Sequence, residues 1–123
     1  MSRATIMIVE DELDFAATLA ERLRLRGYDA KIVDSPNDTI RLIEELAPDV
    51  VLLDLKLPGI SGIEILMMIR NMFPSVEVIL LTGHLDHERA IEGLRLDSFH
   101  YVMKPFDINE LTEKIDIVSG KHA

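Results

Sequence analysis

Cysteine is missing from this sequence of 123 residues, and basic residues are scarce. Without cysteine, the chain has no disulfide, no thiolate nucleophile and no cysteine-ligated metal. The 13 Lys and Arg residues stand against 22 Asp and Glu residues, which gives a formal net charge of −9. Binding to the phosphate backbone of nucleic acid, or to an anionic membrane, needs clustered basic residues. We therefore expect no direct binding to nucleic acid or membrane.

Long apolar runs are also missing. No run is long enough to cross a bilayer, and the one near the N-terminus is too short for a signal peptide, so we expect a cytoplasmic protein. Apolar residues nonetheless make up 48% of the sequence, enough to fill one core. A chain of this length fits one domain, and no linker or low-complexity segment interrupts it. We expect a single domain over residues 1–123.

Strand and helix patterns alternate five times along the chain. Short apolar runs predict strands at Thr5–Val9, Ala30–Val33, Val50–Leu53, Val76–Leu81 and Phe99–Met103. Helical spacing of apolar residues predicts helices at about 13–26, 36–46, 61–73, 86–96 and 108–118. The first of these includes Leu13 and Leu25, and the second begins with a Ser35 cap and Pro36 at its first position. This order is typical of an α/β fold with a parallel sheet covered on both faces.

Polar side chains stand at the carboxyl ends of four predicted strands. They are Glu10-Asp11, Asp54, Thr82 and Lys104. In a parallel sheet these ends share one edge, which is where open α/β sheets bind ligands. Three carboxylates close together repel one another and need a cation, and a small set of oxygen ligands suits Mg²⁺. The pattern therefore favours a magnesium site at this edge of the sheet.

Each of these residues also has an ordinary structural explanation. Acidic residues are favoured at the N-terminus of a helix, which would account for Glu10 and Asp11. Asp54 could be a turn or cap residue, and most lysines lie in solvent. A lysine beside three acids can instead pair with them, and its point charge can hold a phosphoryl oxygen. Gly83, which follows the fourth strand, allows a backbone N–H to approach an anion closely.

Four short sequence motifs lie at or near the carboxyl ends of the predicted strands. They are Glu10-Asp11, LLDLKLPGISG around Asp54, Thr82-Gly83, and Tyr101 three residues before Lys104-Pro105. Together they resemble the receiver domain of two-component response regulators, over essentially the whole chain. The resemblance implies a flavodoxin-like doubly wound sheet of five parallel strands in the order 2-1-3-4-5. It also implies that Asp54 accepts a phosphoryl group from a sensor histidine kinase or a histidine phosphotransfer protein, as in a phosphorelay.

The resemblance further implies a Mg²⁺ site that shares Asp54. Asp11, Asp54 and the backbone carbonyl of Lys56 would bind the ion directly. Glu10 stands where the family commonly has Asp, and its longer side chain fits a contact through water. The protein would accept a phosphoryl group, and could hydrolyse its own acyl phosphate, without being a turnover enzyme.

A phosphoryl site and a switch surface are the remaining implications. Thr82 and Lys104 would contact phosphoryl oxygens, together with a backbone N–H near Gly83. Tyr101 would move between outward and inward positions, although an ordinary amphipathic strand residue fits its position equally well. The surface made by the fourth helix, fifth strand and fifth helix would then contact an output domain, an effector or a second copy of the chain.

Three other functions fit parts of the pattern. A phosphatase with an aspartyl-phosphate intermediate would have a second Asp two residues after its nucleophile, where this chain has Lys56. A nucleotide- or flavin-binding module would have a glycine-rich turn after strand 1, where this chain has Glu10-Asp11-Glu12. A receiver-like module that is never phosphorylated stays open, because only a labelling experiment excludes it.

Overall fold

The computed structural model describes residues 3–54, 62–83 and 100–120, and the elements follow the predicted order. The strands are β1 (Thr5–Val9), β2 (Asp29–Val33), β3 (Val50–Asp54), β4 (Glu77–Thr82) and β5 (His100–Met103). The helices are α1 (Leu13–Leu25), α2 (Thr39–Leu46), α3 (Gly62–Met72) and the C-terminal helix (Ile108–Ser119). The predicted helix at about 86–96, the proposed start of the third helix at Ser61, and Lys56 lie outside the described residues.

All five strands lie in one parallel sheet with the order β2-β1-β3-β4-β5. This confirms the predicted strand order and the α/β class. β2, which has a more polar sequence than β1 and β3, lies at one edge of the sheet, and β5 lies at the other. Every residue of β3 is buried, because this central strand is covered on both faces.

The register of the sheet brings the carboxyl ends of the strands to one edge. Val9 pairs with Leu53, and Asp54 pairs with Leu81. Thr82 pairs with Met103, the last residue of β5. The residues that follow β1 and β5 therefore lie at the same level as Asp54, which is itself the last residue of β3 rather than the first residue beyond it.

Alternate strand residues belong to two apolar clusters, one on each face of the sheet. On the first face, Ile8 and Leu52 pack with side chains of α1 and the C-terminal helix. On the second face, Val9 and Leu53 pack with side chains of α2 and α3. Complete burial of a leucine side chain stabilises the fold by about 2 kcal/mol. The polar ends of the strands therefore lie directly above a dry and firmly packed core.

Two helix predictions differ in detail from the structure. Leu13 and Leu25 lie at the two ends of α1, outside the stripe that faces the sheet, and are 58% and 78% exposed. Pro36 does not begin α2, because a 3-10 turn (Pro36–Asp38) precedes the helix and Ser35 makes no side-chain cap. The N–H of Asp38 donates to the carbonyl of Ser35, so the first turn closes more tightly than an α-helical turn.

Local sequence accounts for two helix boundaries. Gly27, just after α1, has a φ of 93°, a left-handed conformation that favours glycine over other residues. Asp107 precedes the C-terminal helix, and its carboxylate accepts a hydrogen bond from the N–H of Asn109 at 2.7 Å. Within the described ranges, no helix is both long and apolar enough to span a membrane.

A polar network fastens the C-terminal helix to the start of β2. The buried Tyr28 hydroxyl donates to Asp116 at 2.6 Å and accepts from the Arg3 guanidinium at 2.8 Å. Arg3 Nη1 also lies 3.7 Å from Asp116 Oδ2, within ion-pair distance. Burial, followed by the hydrogen bond to Asp116 and its negative charge, raises the pKa of Tyr28 to about 12 despite the opposing effect of Arg3.

We expect Tyr28 to make the fold sensitive to alkali. Above about pH 10 the unfolded chain releases the tyrosine proton, whereas the folded protein holds it to about pH 12. The unfolded state then binds fewer protons, so the free energy of unfolding falls as pH rises. The contribution of this residue falls by about 2 to 3 kcal/mol across that window. The free energy of unfolding, measured with urea from about pH 9 to 12, should fall less steeply with pH in Tyr28→Phe than in Tyr101→Phe. Equal slopes in the two variants would contradict this explanation.

Candidate functional site

Three acidic side chains meet at the carboxyl edge of the sheet. Glu10 and Asp11 follow β1, and Asp54 ends β3. One carboxylate oxygen from each lies within 4.8 Å of the corresponding atoms of the other two. Glu10 is 1% exposed and Asp54 is 8% exposed, whereas Asp11 is open to solvent. The cluster is therefore dry on one side and accessible on the other.

Lys104 joins two of these acids. Its Nζ lies 2.8 Å from Glu10 Oε2 and 3.2 Å from Asp54 Oδ2. The other oxygen of Glu10 accepts a hydrogen bond from the N–H of Glu12 at 3.2 Å. Both oxygens of Glu10 are thus already engaged within the protein, while Asp11 faces the solvent.

Burial and charge oppose each other at this cluster. Burial raises the pKa of Glu10 to about 7, helped by the negative charge of Asp54 and opposed by the hydrogen bond from Lys104. Burial alone would lower the pKa of Lys104, but the hydrogen bond to Glu10 and the charges of both acids outweigh it, and the pKa is raised. The lysine therefore remains an ammonium ion beside these acids at neutral pH.

An aromatic side chain completes the surroundings of Lys104. The Nζ lies 4.5 Å from the centroid of the Phe15 ring, in the first turn of α1. The Phe15 ring packs against Phe106, with centroids 6.0 Å apart and planes at 63°. Neither phenylalanine is among the residues that the sequence predicts for the site. The sequence does contain a signal for them, which is one aromatic residue four positions after Asp11 and a second aromatic residue two positions after Lys104.

The remaining predicted residues are described to different extents. Thr82 ends β4 at the correct edge, but its side chain lies outside the described part of the chain, as does Lys56. Gly83 follows directly and is half-buried. Tyr101, in β5, is 36% exposed, and its backbone carbonyl accepts a hydrogen bond from Lys114 at 3.1 Å. The tyrosine ring is thus at the surface, next to the C-terminal helix.

The acidic cluster has the chemistry of a site for a hard divalent cation. Its donors are all carboxylate oxygens, and the exposed Asp11 leaves a route for an ion to enter from solvent. Mg²⁺ keeps several water ligands and is usually held by one or two carboxylates together with substrate phosphates. These residues fit such an ion, and the adjacent ammonium of Lys104 fits a phosphoryl oxygen.

The family model for the response regulator receiver domain matches residues 6–116. The chain belongs to this family. A receiver domain is the phosphoacceptor of a two-component signalling system. The matched residues include the acidic cluster and all five strands except Thr5, the first residue of β1.

Curated relatives of this receiver domain are longer proteins. It is 36% identical to the regulatory protein AtoC of Escherichia coli over 86% of this chain and 23% of AtoC. It is 34% identical to the DNA-binding response regulator MtrA of Mycobacterium tuberculosis over 92% of this chain and 49% of MtrA. The chain thus spans between about a quarter and a half of the length of these relatives.

Solved structures of receiver domains have the same fold. One from Clostridium thermocellum superposes with a TM-score of 0.86 and 30% identity, over 95% of this chain and 94% of that one. The response regulator TrrA from Thermotoga maritima, in complex with Mg²⁺ and BeF, has a TM-score of 0.82 and 29% identity. That match covers 96% of this chain and 99% of TrrA. The likeness therefore extends across nearly the whole of this domain.

Proposed function

We propose that Asp54 is the phosphoacceptor of this receiver domain. The observation that carries the proposal is the place of Asp54 beside both the other two acids and the Lys104 ammonium, at the carboxyl end of a fully buried strand. A carboxylate oxygen of Asp54 would attack phosphorus and form an acyl phosphate. The bond from phosphorus to the donor breaks, and the leaving imidazole or acetate takes the electron pair.

Asp11 and Asp54, with the backbone carbonyl of Lys56, would hold a Mg²⁺ ion. Glu10 would act through water, because both of its oxygens already accept hydrogen bonds from the protein. The bound ion supplies neutralisation of the negative charge on the transferring group. This protein's own side chains fix the acceptor oxygen in position and exclude water from one side of it.

Lys104, Thr82 and the backbone N–H near Gly83 would contact the phosphoryl oxygens. The Lys104 ammonium lies 3.2 Å from Asp54 Oδ2, so it needs only a small movement to reach a group attached to that carboxylate. The phosphoryl group adds nearly two negative charges and three acceptor oxygens at this edge. New contacts to these groups would reposition the chain after β4 and β5.

The surface that changes would be the predicted fourth helix, β5 and the C-terminal helix. Tyr101 lies on this surface and could turn inward when the site is occupied. The donor would be a sensor histidine kinase or a histidine phosphotransfer protein in the cytoplasm. The switched surface would act on an output domain, an effector or a second copy of the chain.

This receiver domain would be a signalling unit and not a turnover enzyme. Its net charge of −9 argues against direct contact with nucleic acid by these residues. MtrA is described as a DNA-binding response regulator, so DNA binding in a protein that contains such a domain would belong to other residues. Residues 1–123 would form one receiver unit.

The Mg²⁺ site predicts a specific loss of metal affinity in Asp11→Asn. Removing a direct carboxylate ligand should weaken Mg²⁺ binding by at least about tenfold, since loss of an outer-shell partner already costs about that much. Titration with Mg²⁺, followed by amide chemical shifts, measures the affinity. The matched control is Asp14→Asn, which removes one exposed carboxylate of α1 outside the cluster and should bind Mg²⁺ like the parent. Equal affinities in both variants would contradict the assigned site.

Labelling of the parent protein by acetyl phosphate tests the function itself. We expect incorporation of one phosphoryl group in the presence of Mg²⁺ and none when the metal is removed with EDTA. Absence of any labelling, with Mg²⁺ bound and the protein folded, would favour an interaction module that is never phosphorylated. Continuous release of phosphate from a generic phosphate ester would favour a phosphatase.

A further inference from the structure

Among the residues that the structure describes, Lys104 has three partners, and they are of different kinds. Two are the carboxylates of Glu10 and Asp54, at 2.8 and 3.2 Å. The third is the neutral ring of Phe15, whose centroid lies 4.5 Å from the ammonium. An ammonium at this distance from a phenyl ring centroid is within range of cation–π attraction.

The two carboxylates cannot hold Lys104 in the same way throughout the reaction. In the proposed function, Asp54 becomes an acyl phosphate, while Glu10 additionally accepts a hydrogen bond from water around the metal ion. The ring of Phe15 has no part in the chemistry and carries no charge. Its attraction for the ammonium therefore persists while Asp54 changes from a carboxylate to an acyl phosphate.

The Phe15 ring is itself fixed in place. It belongs to the first turn of α1, packs against the apolar cluster on that face of the sheet and makes an edge-to-face contact with Phe106. Phe106 is two residues after Lys104, so the same short segment carries the lysine and the ring that supports Phe15. A lysine side chain loses much rotamer freedom when it is held in one place, and a fixed aromatic surface lowers that cost before the reaction begins.

We propose that Phe15 is a positioning residue for phosphoryl transfer, which holds the Lys104 ammonium beside Asp54 through its ring face, with Phe106 fixing the orientation of that ring. This inference rests on the proposed role of Lys104. It adds that an aromatic ring, and not merely apolar volume, is required at residue 15.

Variants at residue 15 separate the ring from its volume. Phe15→Leu keeps an apolar side chain and removes the ring, whereas Phe15→Tyr keeps the ring. Phe73→Leu is the matched control, because it makes the same chemical change at a partly buried residue of the apolar cluster on the opposite face. Thermal unfolding of each variant shows that it remains folded.

Two measurements are made on each variant. The first is the initial rate of phosphorylation by acetyl phosphate with saturating Mg²⁺, which should fall by about threefold to tenfold in Phe15→Leu. Phe15→Tyr and Phe73→Leu should stay within about twofold of the parent, since each keeps the ring beside Lys104.

The second measurement is the chemical shift of the Lys104 ε-methylene protons without phosphodonor. An upfield ring-current shift should be present in the parent and in Phe15→Tyr, and lost in Phe15→Leu.

The inference is overturned if Phe15→Leu and Phe15→Tyr lose the same fraction of the rate, because the residue would then be structural. It is also overturned if the Lys104 proton shifts do not respond to loss of the ring. The rate of Lys104→Ala distinguishes failure of this inference from failure of the proposed function. A parent-like rate in Lys104→Ala rejects the role of the lysine itself. A slow Lys104→Ala beside a parent-like Phe15→Leu rejects only the role of the ring.

Discussion

Asp54→Asn should abolish labelling by acetyl phosphate in the presence of Mg²⁺. The amide has nearly the same shape as the carboxylate but lacks the anionic oxygen that attacks phosphorus. Asp54 is 8% exposed and lies next to Lys104. Because the amide occupies the same space, the substitution leaves the surrounding core in place. Intact-mass spectrometry after incubation with the phosphodonor measures the incorporated group. We expect complete loss in this variant and one group per chain in the parent.

Asp34→Asn is the control for this substitution. Asp34 follows β2 at the same edge of the sheet, is exposed and lies outside the acidic cluster. It should be labelled like the parent. Labelling of Asp54→Asn to the same level as the Asp34→Asn control would move the acceptor to another residue and remove the basis of the proposed function.

Lys104→Ala should uncouple phosphorylation from the change at the output surface. Moving a population from mostly inactive to mostly active takes about 5.5 kcal/mol, and one hydrogen bond to a charged group supplies about 1.5 to 3 kcal/mol of this. Loss of Lys104 should therefore lower the ratio of active to inactive protein by about tenfold to a hundredfold at full phosphorylation. Amide chemical shifts of β5 and the C-terminal helix, with and without the phosphoryl group, report the change.

The same variant should bind Mg²⁺ no more weakly than the parent. Lys104 is a cation beside the acidic cluster, so its removal takes away a competitor for Glu10 and Asp54 rather than a ligand. Lys31→Ala, on the distant edge strand β2, serves as the control and should switch like the parent. If Lys104→Ala gave the same amide shift changes as the parent on phosphorylation, the lysine would have no part in the switch.

Much of this fold follows from the sequence because its signals are local. The unbroken apolar run of β3, the glycine after α1 and the aspartate before the C-terminal helix each determine the structure within a few residues. The site follows from one further step, since parallel strands place all their carboxyl ends at one edge. The juxtaposition of Glu10, Asp11 and Asp54 was therefore predictable without any coordinates.

Contacts between side chains distant in sequence were beyond the same reasoning. The sequence indicates that Lys104 can pair with the acids, but not that its ammonium bonds to both Glu10 and Asp54. Its approach to Phe15 was also beyond prediction, because that distance depends on how α1 packs against the sheet. The network through Tyr28 was hidden for the same reason, since it joins residues 88 positions apart. The exposure of Leu13 and Leu25 likewise depends on where α1 ends relative to the sheet.

Chemical mapping of the phosphorylated residue tests the central claim most directly. The parent protein, phosphorylated by acetyl phosphate in Mg²⁺, is treated with borohydride, which reduces an aspartyl phosphate to homoserine, and its peptides are then sequenced by mass spectrometry. Our account predicts homoserine at residue 54 and at no other acidic position. Reduction at Asp11, Glu10 or any other residue, with Asp54 unmodified, would contradict it.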